Sequence, residues 1–177
     1  KTLIGEYAIH RALAHGQKVF YTTPLKALSN QKLRDFRDQY GAENVGLMTG
    51  DLSVNREASI VVMTTEIFRN MLYAEADEHD DPLADVEAVV LDECHYMNDS
   101  QRGTVWEESI IHCPPTVQLV ALSATVANAG QLTDWIEKVH GPTTLVLSDH
   151  RPVPLQFSFC SAKGLHPLLN DAGTGLH

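Results

Sequence analysis

Apolar positions along the chain switch repeatedly between a helical period and short continuous runs rich in β-branched residues. Leu3, Ile4, Tyr7, Ala8 and Ala12 share a helical period and Gly16 is a natural C-terminal stop, which predicts a helix over residues 2–16. KVFYTTP (18–24) is a β-branched and aromatic run closed by Pro24 and reads as a strand. Helical spacing returns in LKALSNQKLRDFRDQYG (25–41) through Leu28, Leu33 and Phe36, with Gly41 as its stop. The alternation continues with strands at 44–50 and 59–65, a helix at 66–76, a strand at 87–93 and a helix at 103–113. A strand at 116–125, a helix at 129–141 and closing strands at 143–148 and 153–159 complete it. Uniformly apolar strands between amphipathic helices predict an α/β fold, a mostly parallel sheet with helices on both faces. Trp106 and Trp135 fall on helices and are expected in the core. No internal repeat interrupts the pattern; EADEHDDPLAD (75–85) reads as a solvated loop, and the residues after Phe159 as a mobile tail.

A chain of 177 residues, 44% hydrophobic and 20% charged, is long enough to bury one substantial core. Its three cysteines, Cys94, Cys113 and Cys160, are far apart and form no CxxC pair, so neither a disulfide framework nor a zinc ribbon is suggested. No apolar run is long enough for a bilayer, and KTLIGEYAIH lacks the layout of a secretory signal, so a reducing, cytoplasmic location is expected. Lysine at position 1 and the small, polar ending NDAGTGLH suggest a piece of a longer chain. The net charge of -10 is local: residues 1–50 carry +3, residues 51–100 carry -11 and residues 101–177 carry -2. It therefore does not exclude an anionic partner.

Ligands of open parallel sheets bind beyond the carboxyl ends of the strands. Three polar clusters hold such positions, TTPLKAL after KVFY, DECH after AVVL and SAT after LVAL, and all three should face one crevice. Asp92 and Glu93 leave the end of a buried strand as adjacent carboxylates, an arrangement that suits one group holding Mg²⁺ and the next orienting an attacking water beside a nucleotide triphosphate. Ordinary helix-start acids are the alternative reading of that pair. KT at residues 1–2 has the form of the last two residues of a phosphate loop, in which Lys1 would reach the β and γ phosphates and Thr2 would join Mg²⁺.

Taken in order, KT, TTPLKALSNQK, TGD, TTEIFRNMLY, LDECHYMND, LSAT and RPVPLQFSF resemble the motif series of superfamily 2 DExH-box helicases. RGTVWEESII after the box is similar to the superkiller-type, exosome-associated RNA helicase group. The resemblance covers residues 1–159 and implies a RecA-like P-loop NTPase fold that uses ATP and Mg²⁺. It implies Lys1 and Thr2 for nucleotide and metal, Asp92 and Glu93 for metal and hydrolytic water, and His95 for linking the nucleotide site to the rest of the machine. Ser123, Ala124 and Thr125 resemble the motif that couples hydrolysis to strand separation. Thr23, Pro24 and Lys26, then Gly50 and Asp51, then Thr64, Thr65, Glu66 and Arg69 resemble the segments that grip a nucleic-acid backbone. Single-stranded RNA is the implied partner; DNA stays open on physical grounds, because only a contact to the 2′-hydroxyl distinguishes the two. A second RecA-like domain of the same chain and an RNA-decay complex are the other implied partners.

On this reading residues 1–150 form the ATP-binding domain, begun within its phosphate loop, and residues 151–177 a closing strand and the start of a linker. Without the loop's glycines and the second domain, the chain on its own is expected to be inactive. Two rival readings belong to other classes. Cys94-His95 and His112-Cys113 are two doublets for a zinc site, although adjacent residues at a strand end point to opposite sides. A non-catalytic partner-binding module on the same fold is the other, and a module freed from hydrolysis has no need of both Asp92 and Glu93.

Overall fold

Alternation of side chains within each strand sends Val19, Tyr21, Ile60, Val62, Ala88 and Val90 to one face of a sheet and Phe20, Val61, Met63, Val89 and Leu91 to the other. A computed structural model of the chain describes residues 2–73, 81–124, 126–148, 150, 153 and 157–169. Lys1, Thr125 and residues 74–80 lie outside the described residues. The strands are β1 (Lys18–Thr23), β2 (Val45–Met48), β3 (Ser53–Val54), β4 (Ile60–Thr64), β5 (Val86–Leu91) and β6 (Gln118–Ala121). They form one sheet in the order β3-β2-β4-β1-β5-β6, parallel throughout except for β3, which runs antiparallel to β2. Helices α1 (Thr2–Ala14) and α2 (Lys26–Tyr40) cover the first face with Ala8, Ile9, Ala12 and Phe36. Helices α3 (Thr65–Tyr73), α4 (Gly103–His112) and α5 (Ala129–Val139) cover the second with Phe68, Ile110 and Ile136. The expected α/β architecture is therefore present, and parallel pairing brings the exits of β1, β4, β5 and β6 to one edge of the sheet.

Several elements differ from the pattern reading. In α1 the buried stripe is Gly5, Ala8, Ile9 and Ala12, whereas Leu3, Ile4 and Tyr7 are exposed. Small residues let this helix lie close on the sheet: a Cβ on Gly5 would sit 2.8 Å from the ring of Tyr21. Residues 143–148, expected as a strand, join no ladder, and Leu145, Val146 and Leu147 are exposed. β-branched composition alone does not make a strand when no neighbour offers its edge. Residues 81–85 are not wholly solvated, because the Asp81 carboxylate accepts the Leu83 N–H at 2.9 Å and Leu83 is buried.

Trp106 is fully buried, and Trp135 packs partly buried against the second face. The first compact unit ends at Leu145 and the second begins at Val146. Within the second, the described strands β7 (Ser158–Ser161) and β8 (Gly164–Pro167) form an antiparallel hairpin. Of the strand expected at 153–159, residues 154–156 lie outside the described residues and Ser158 and Phe159 belong to this hairpin, which also takes in residues 160–167 of the expected tail. Among the described residues no helix is long and apolar enough to cross a membrane.

Candidate functional site

Asp92 follows the last residue of β5, and its backbone N–H extends the ladder by donating to the Thr22 carbonyl at 3.0 Å. The Tyr21 hydroxyl donates to Asp92 Oδ2 at 2.7 Å, and the Glu93 N–H donates to Oδ1 at 2.9 Å. One donor on each oxygen fixes the carboxylate plane and leaves lone pairs on both oxygens. Burial, reinforced by the Asp92 charge and hydrogen bond and then by Glu6 and Glu93, holds the Tyr21 phenol well above the usual tyrosine range. It therefore remains a donor at any physiological pH.

A cavity of about 280 Å³ opens beside this carboxylate, lined by Thr2, Leu28, Gln31, Lys32, Asp92 and Glu93. Thr2 begins α1, so the positive end of that helix dipole meets the cavity. Lys32 donates to Thr2 Oγ1 at 3.4 Å and lies 5.3 Å from the centre of the Tyr21 ring and 5.7 Å from that of Phe36. Among the described residues Lys32 has no carboxylate partner. A hydroxyl, two carboxylates, a cation and a helix N-terminus around one cavity suit a hard divalent ion together with phosphate oxygens. Thr2 and Asp92, the residues expected to share Mg²⁺, are thus brought to one cavity; Lys1 lies outside the described residues.

Glu93 adopts a left-handed backbone, φ 52° and ψ 42°, which turns the chain sharply off the strand. The turn starts a 3-10 segment over Cys94–Asn98, pinned where the Cys94 N–H donates to the Leu122 carbonyl at 2.8 Å. Cys94 itself points inward against Val105 and Trp106, and burial pushes its thiol up to about 12, so it serves as a small hydrophobe. His95 Nδ1 lies 3.2 Å from Glu93 Oε2 and 3.4 Å from the Ala124 N–H. The two contacts are alternatives, because Nδ1 must carry a proton to meet the carboxylate and must lack one to accept the amide. His95 thus stands between the carboxylate pair and the Ser123-Ala124 segment. The Ser123 hydroxyl is buried with no hydrogen-bond partner among the described residues.

The residues expected to grip nucleic acid divide into two groups. Thr23, Pro24, Thr64 and Thr65 are buried. Thr23 Oγ1 lies 2.7 Å from Ser29 Oγ and donates to the Leu25 carbonyl at 3.1 Å, while Thr65 Oγ1 donates to the Thr23 carbonyl at 3.2 Å. Their side chains brace the strand exits rather than face solvent. Lys26, Gly50 and Asp51 are exposed, and Lys26 pairs with Asp51 across the loops. Glu66 pairs with Arg102, and Arg69 reaches Glu108 at 3.4 Å and Asn70 at 2.8 Å. As for the zinc doublets, Cys113 is buried, His112 lies against Tyr73 at 4.8 Å, and no three His, Cys, Asp or Glu side chains cluster among the described residues.

Tyr21, Lys32 and Arg102 are absent from the sequence-based site. Only Tyr21 carried a usable signal, since a tyrosine in a buried strand needs a partner for its hydroxyl. Lys32 and Arg102 reach their places through contacts between elements distant in sequence.

The family model described as DEAD/DEAH box helicase matches residues 1–132. The chloroplastic DExH-box ATP-dependent RNA helicase DExH15 of Arabidopsis thaliana is 54% identical over 179 residues, covering 100% of this chain and 15% of its own length. Exosome RNA helicase MTR4 of Homo sapiens is 47% identical over 98% of this chain and 16% of its own length. Antiviral helicase SKI2 of Saccharomyces cerevisiae is 46% identical over 97% of this chain and 13% of its own length. The chain thus spans 13 to 16% of the length of these relatives. Among solved structures, the Mycobacterium smegmatis helicase Lhr bound to ssDNA and AMP-PNP shares the fold, with a TM-score of 0.56 and 24% identity over 73% of this chain and 20% of that chain.

Proposed function

The chain belongs to the DEAD/DEAH box helicase family, and from that premise we propose that it is the first RecA-like, ATP-binding domain of an ATP-dependent RNA helicase, which couples ATP hydrolysis to movement along RNA and its unwinding. The observation that carries the reading is the cavity shared by Thr2 at the start of α1 and Asp92 and Glu93 at the tip of β5. Residues 1–150 act as this domain, and residues 151–177 as the element leading from it toward a second RecA-like domain. RNA is favoured over DNA because relatives 47 to 54% identical are named RNA helicases. One of them, named an exosome helicase, points to an RNA-decay complex as partner. Three free cysteines, two of them buried, suit a reducing compartment such as the cytoplasm.

Mg²⁺, when bound, supplies positive charge to the terminal phosphates. Thr2 and Asp92 offer the oxygens that would hold the ion, and Lys1 is the residue proposed to reach the β and γ phosphates. Tyr21 and the Glu93 N–H keep the Asp92 carboxylate in one orientation. Glu93, turned away from the strand by its left-handed backbone, orients the attacking water and takes its proton. His95 and the Ser123-Ala124-Thr125 segment relay the state of this site to the strand-facing loops. On the other side, Lys26, Gly50, Asp51, Glu66 and Arg69 form the backbone-contacting rim, with Thr23, Pro24, Thr64 and Thr65 setting its shape.

In the full-length protein Glu93→Gln should leave ATP binding near wild type and lower turnover about a thousandfold, the pattern of a lost transition-state interaction. Steady-state hydrolysis with a parallel nucleotide-binding titration measures both, and undiminished hydrolysis would remove the proposed role.

A further inference from the structure

Arg102 adds a side-chain tie between two segments that the β1–β4 ladder and the Thr65 hydroxyl on the Thr23 carbonyl join only at the strand ends beneath them. Its Nη2 donates to the Pro24 carbonyl at 2.6 Å, its Nε donates to Glu66 Oε1 at 3.1 Å, and Nη2 also meets that carboxylate oxygen. Pro24 follows β1 and Glu66 follows β4, so one planar cation ties together the exits of two adjacent strands. A guanidinium presents several donors in a fixed fork, and an ammonium cannot satisfy both acceptors in the same way.

The backbone beneath Arg102 is equally constrained. Asp99 Oδ1 accepts the N–H groups of Gln101 at 2.9 Å and Arg102 at 3.0 Å, and the Gly103 N–H donates to the Asp99 carbonyl at 2.8 Å. Gly103 fits so closely on the preceding 3-10 segment that a Cβ there would lie 2.2 Å from the Met97 carbonyl oxygen. The stretch from Glu93 to Gly103 is therefore a short braced arm, with the carboxylate pair at its root and the Arg102 fork at its tip.

We propose that Arg102 is a positioning residue that makes the setting of the Pro24 loop depend on the nucleotide state sensed at Asp92 and Glu93. The inference rests on the helicase reading above. A shift of the arm's root cannot leave Pro24 and Glu66 untouched while the fork holds. Coupling of this kind is a free energy shared by both ligands, so it must appear in RNA affinity when the nucleotide is changed.

The test uses the full-length protein with Mg²⁺ and a fluorescent single-stranded RNA oligonucleotide at fixed salt, comparing the Kd for RNA in AMP-PNP with that in ADP. Wild type should show a ratio of about fivefold or more, within the usual range for coupled sites. Arg102→Ala should bring the ratio close to one. Arg102→Lys keeps charge and aliphatic stem and is the variant expected to fold as wild type; it should lose at least half of the effect on a logarithmic scale. Glu66→Ala combined with Arg102→Ala should be no worse than Arg102→Ala alone, because the two act as one unit. A wild-type ratio in either Arg102 variant would overturn the inference, even if its melting temperature had fallen, since the residue would then be only a structural brace. A wild type whose RNA affinity ignores the nucleotide altogether would instead remove the helicase reading beneath it.

Discussion

The pocket beside Asp92 and the rim around Pro24 leave the sheet from neighbouring strands, β5 and β1, yet they are built from opposite materials. Around Asp92 the supporting groups are buried and kept neutral: the Tyr21 phenol below the carboxylate and the Cys94 thiol behind it. Around Pro24 the supports are charged and partly wet: Lys26 with Asp51, Glu66 with Arg102, and Arg69 with Glu108. A dry frame resists rearrangement and suits a site that must hold one carboxylate in one place. A rim of ion pairs can exchange an internal partner for an external phosphate at little net cost, because such pairs contribute only about 0–1 kcal/mol when exposed. Alkali should therefore damage the first region, and salt the second.

The largest expected effect is on stability at high pH. Burial pushes Cys94 and Cys113 up to about 12 from an ordinary 9.0, and Tyr21 upward from 10.0. Above those ordinary values the unfolded chain has lost protons that the folded chain keeps, so stability falls as pH rises, by up to about 1.4 kcal/mol per unit for each group. None of the three contributes a slope below about pH 8. The urea midpoint of this chain should stay level with respect to these groups near neutrality and drop steadily from pH 9 to 11; Tyr21→Phe should flatten the part above pH 10. A midpoint that is level across the range would mean that the frame is not dry.

Next comes the hydroxyl itself. Tyr21→Phe deletes one of the two donors that orient Asp92, a hydrogen bond to a charged group worth about 1.5–3 kcal/mol. In the full-length protein this should lower RNA-stimulated turnover roughly tenfold with little change in KM for ATP. Equal loss in kcat and gain in KM would point to general damage instead.

Smallest are the effects at the rim. Lys26→Ala should weaken single-stranded RNA binding a few-fold and reduce the slope of log affinity against log salt by about one. Arg69→Ala should do less, because Glu108 and Asn70 already hold that guanidinium. Asp51→Asn, which releases Lys26 from its partner, should tighten binding about twofold. Titrations at several salt concentrations rank the three, and an Arg69 effect exceeding that of Lys26 would reverse the picture of the rim.

Much of this was legible in the chain itself. Strand alternation and the polar clusters after KVFY, AVVL and LVAL are local signals, and they located the parallel sheet and the exits where Thr23, Asp92 and Ser123 stand. The face of α1 was legible only in part: Ala8 and Ala12 belong to the buried stripe as expected, but Gly5 carries no hydrophobic signal, and the apolar Leu3, Ile4 and Tyr7 pull the expected stripe away from Gly5 and Ile9, which are buried. Residues 143–148 show the converse, a strong strand composition without a ladder. The bonds that define the two regions were hidden for a different reason: Tyr21 and Asp92 are separated by 71 positions, and Arg102 and Pro24 by 78. Which side chains meet at such separations is decided by strand order, and no local period encodes it.

Glu93 occupies a backbone conformation in which glycine would be the more comfortable resident, at an expense of about 1–2 kcal/mol for a residue with a side chain. The proposed water-orienting role requires a carboxylate there, and under that proposal chemistry is placed above thermodynamic ease at that single peptide.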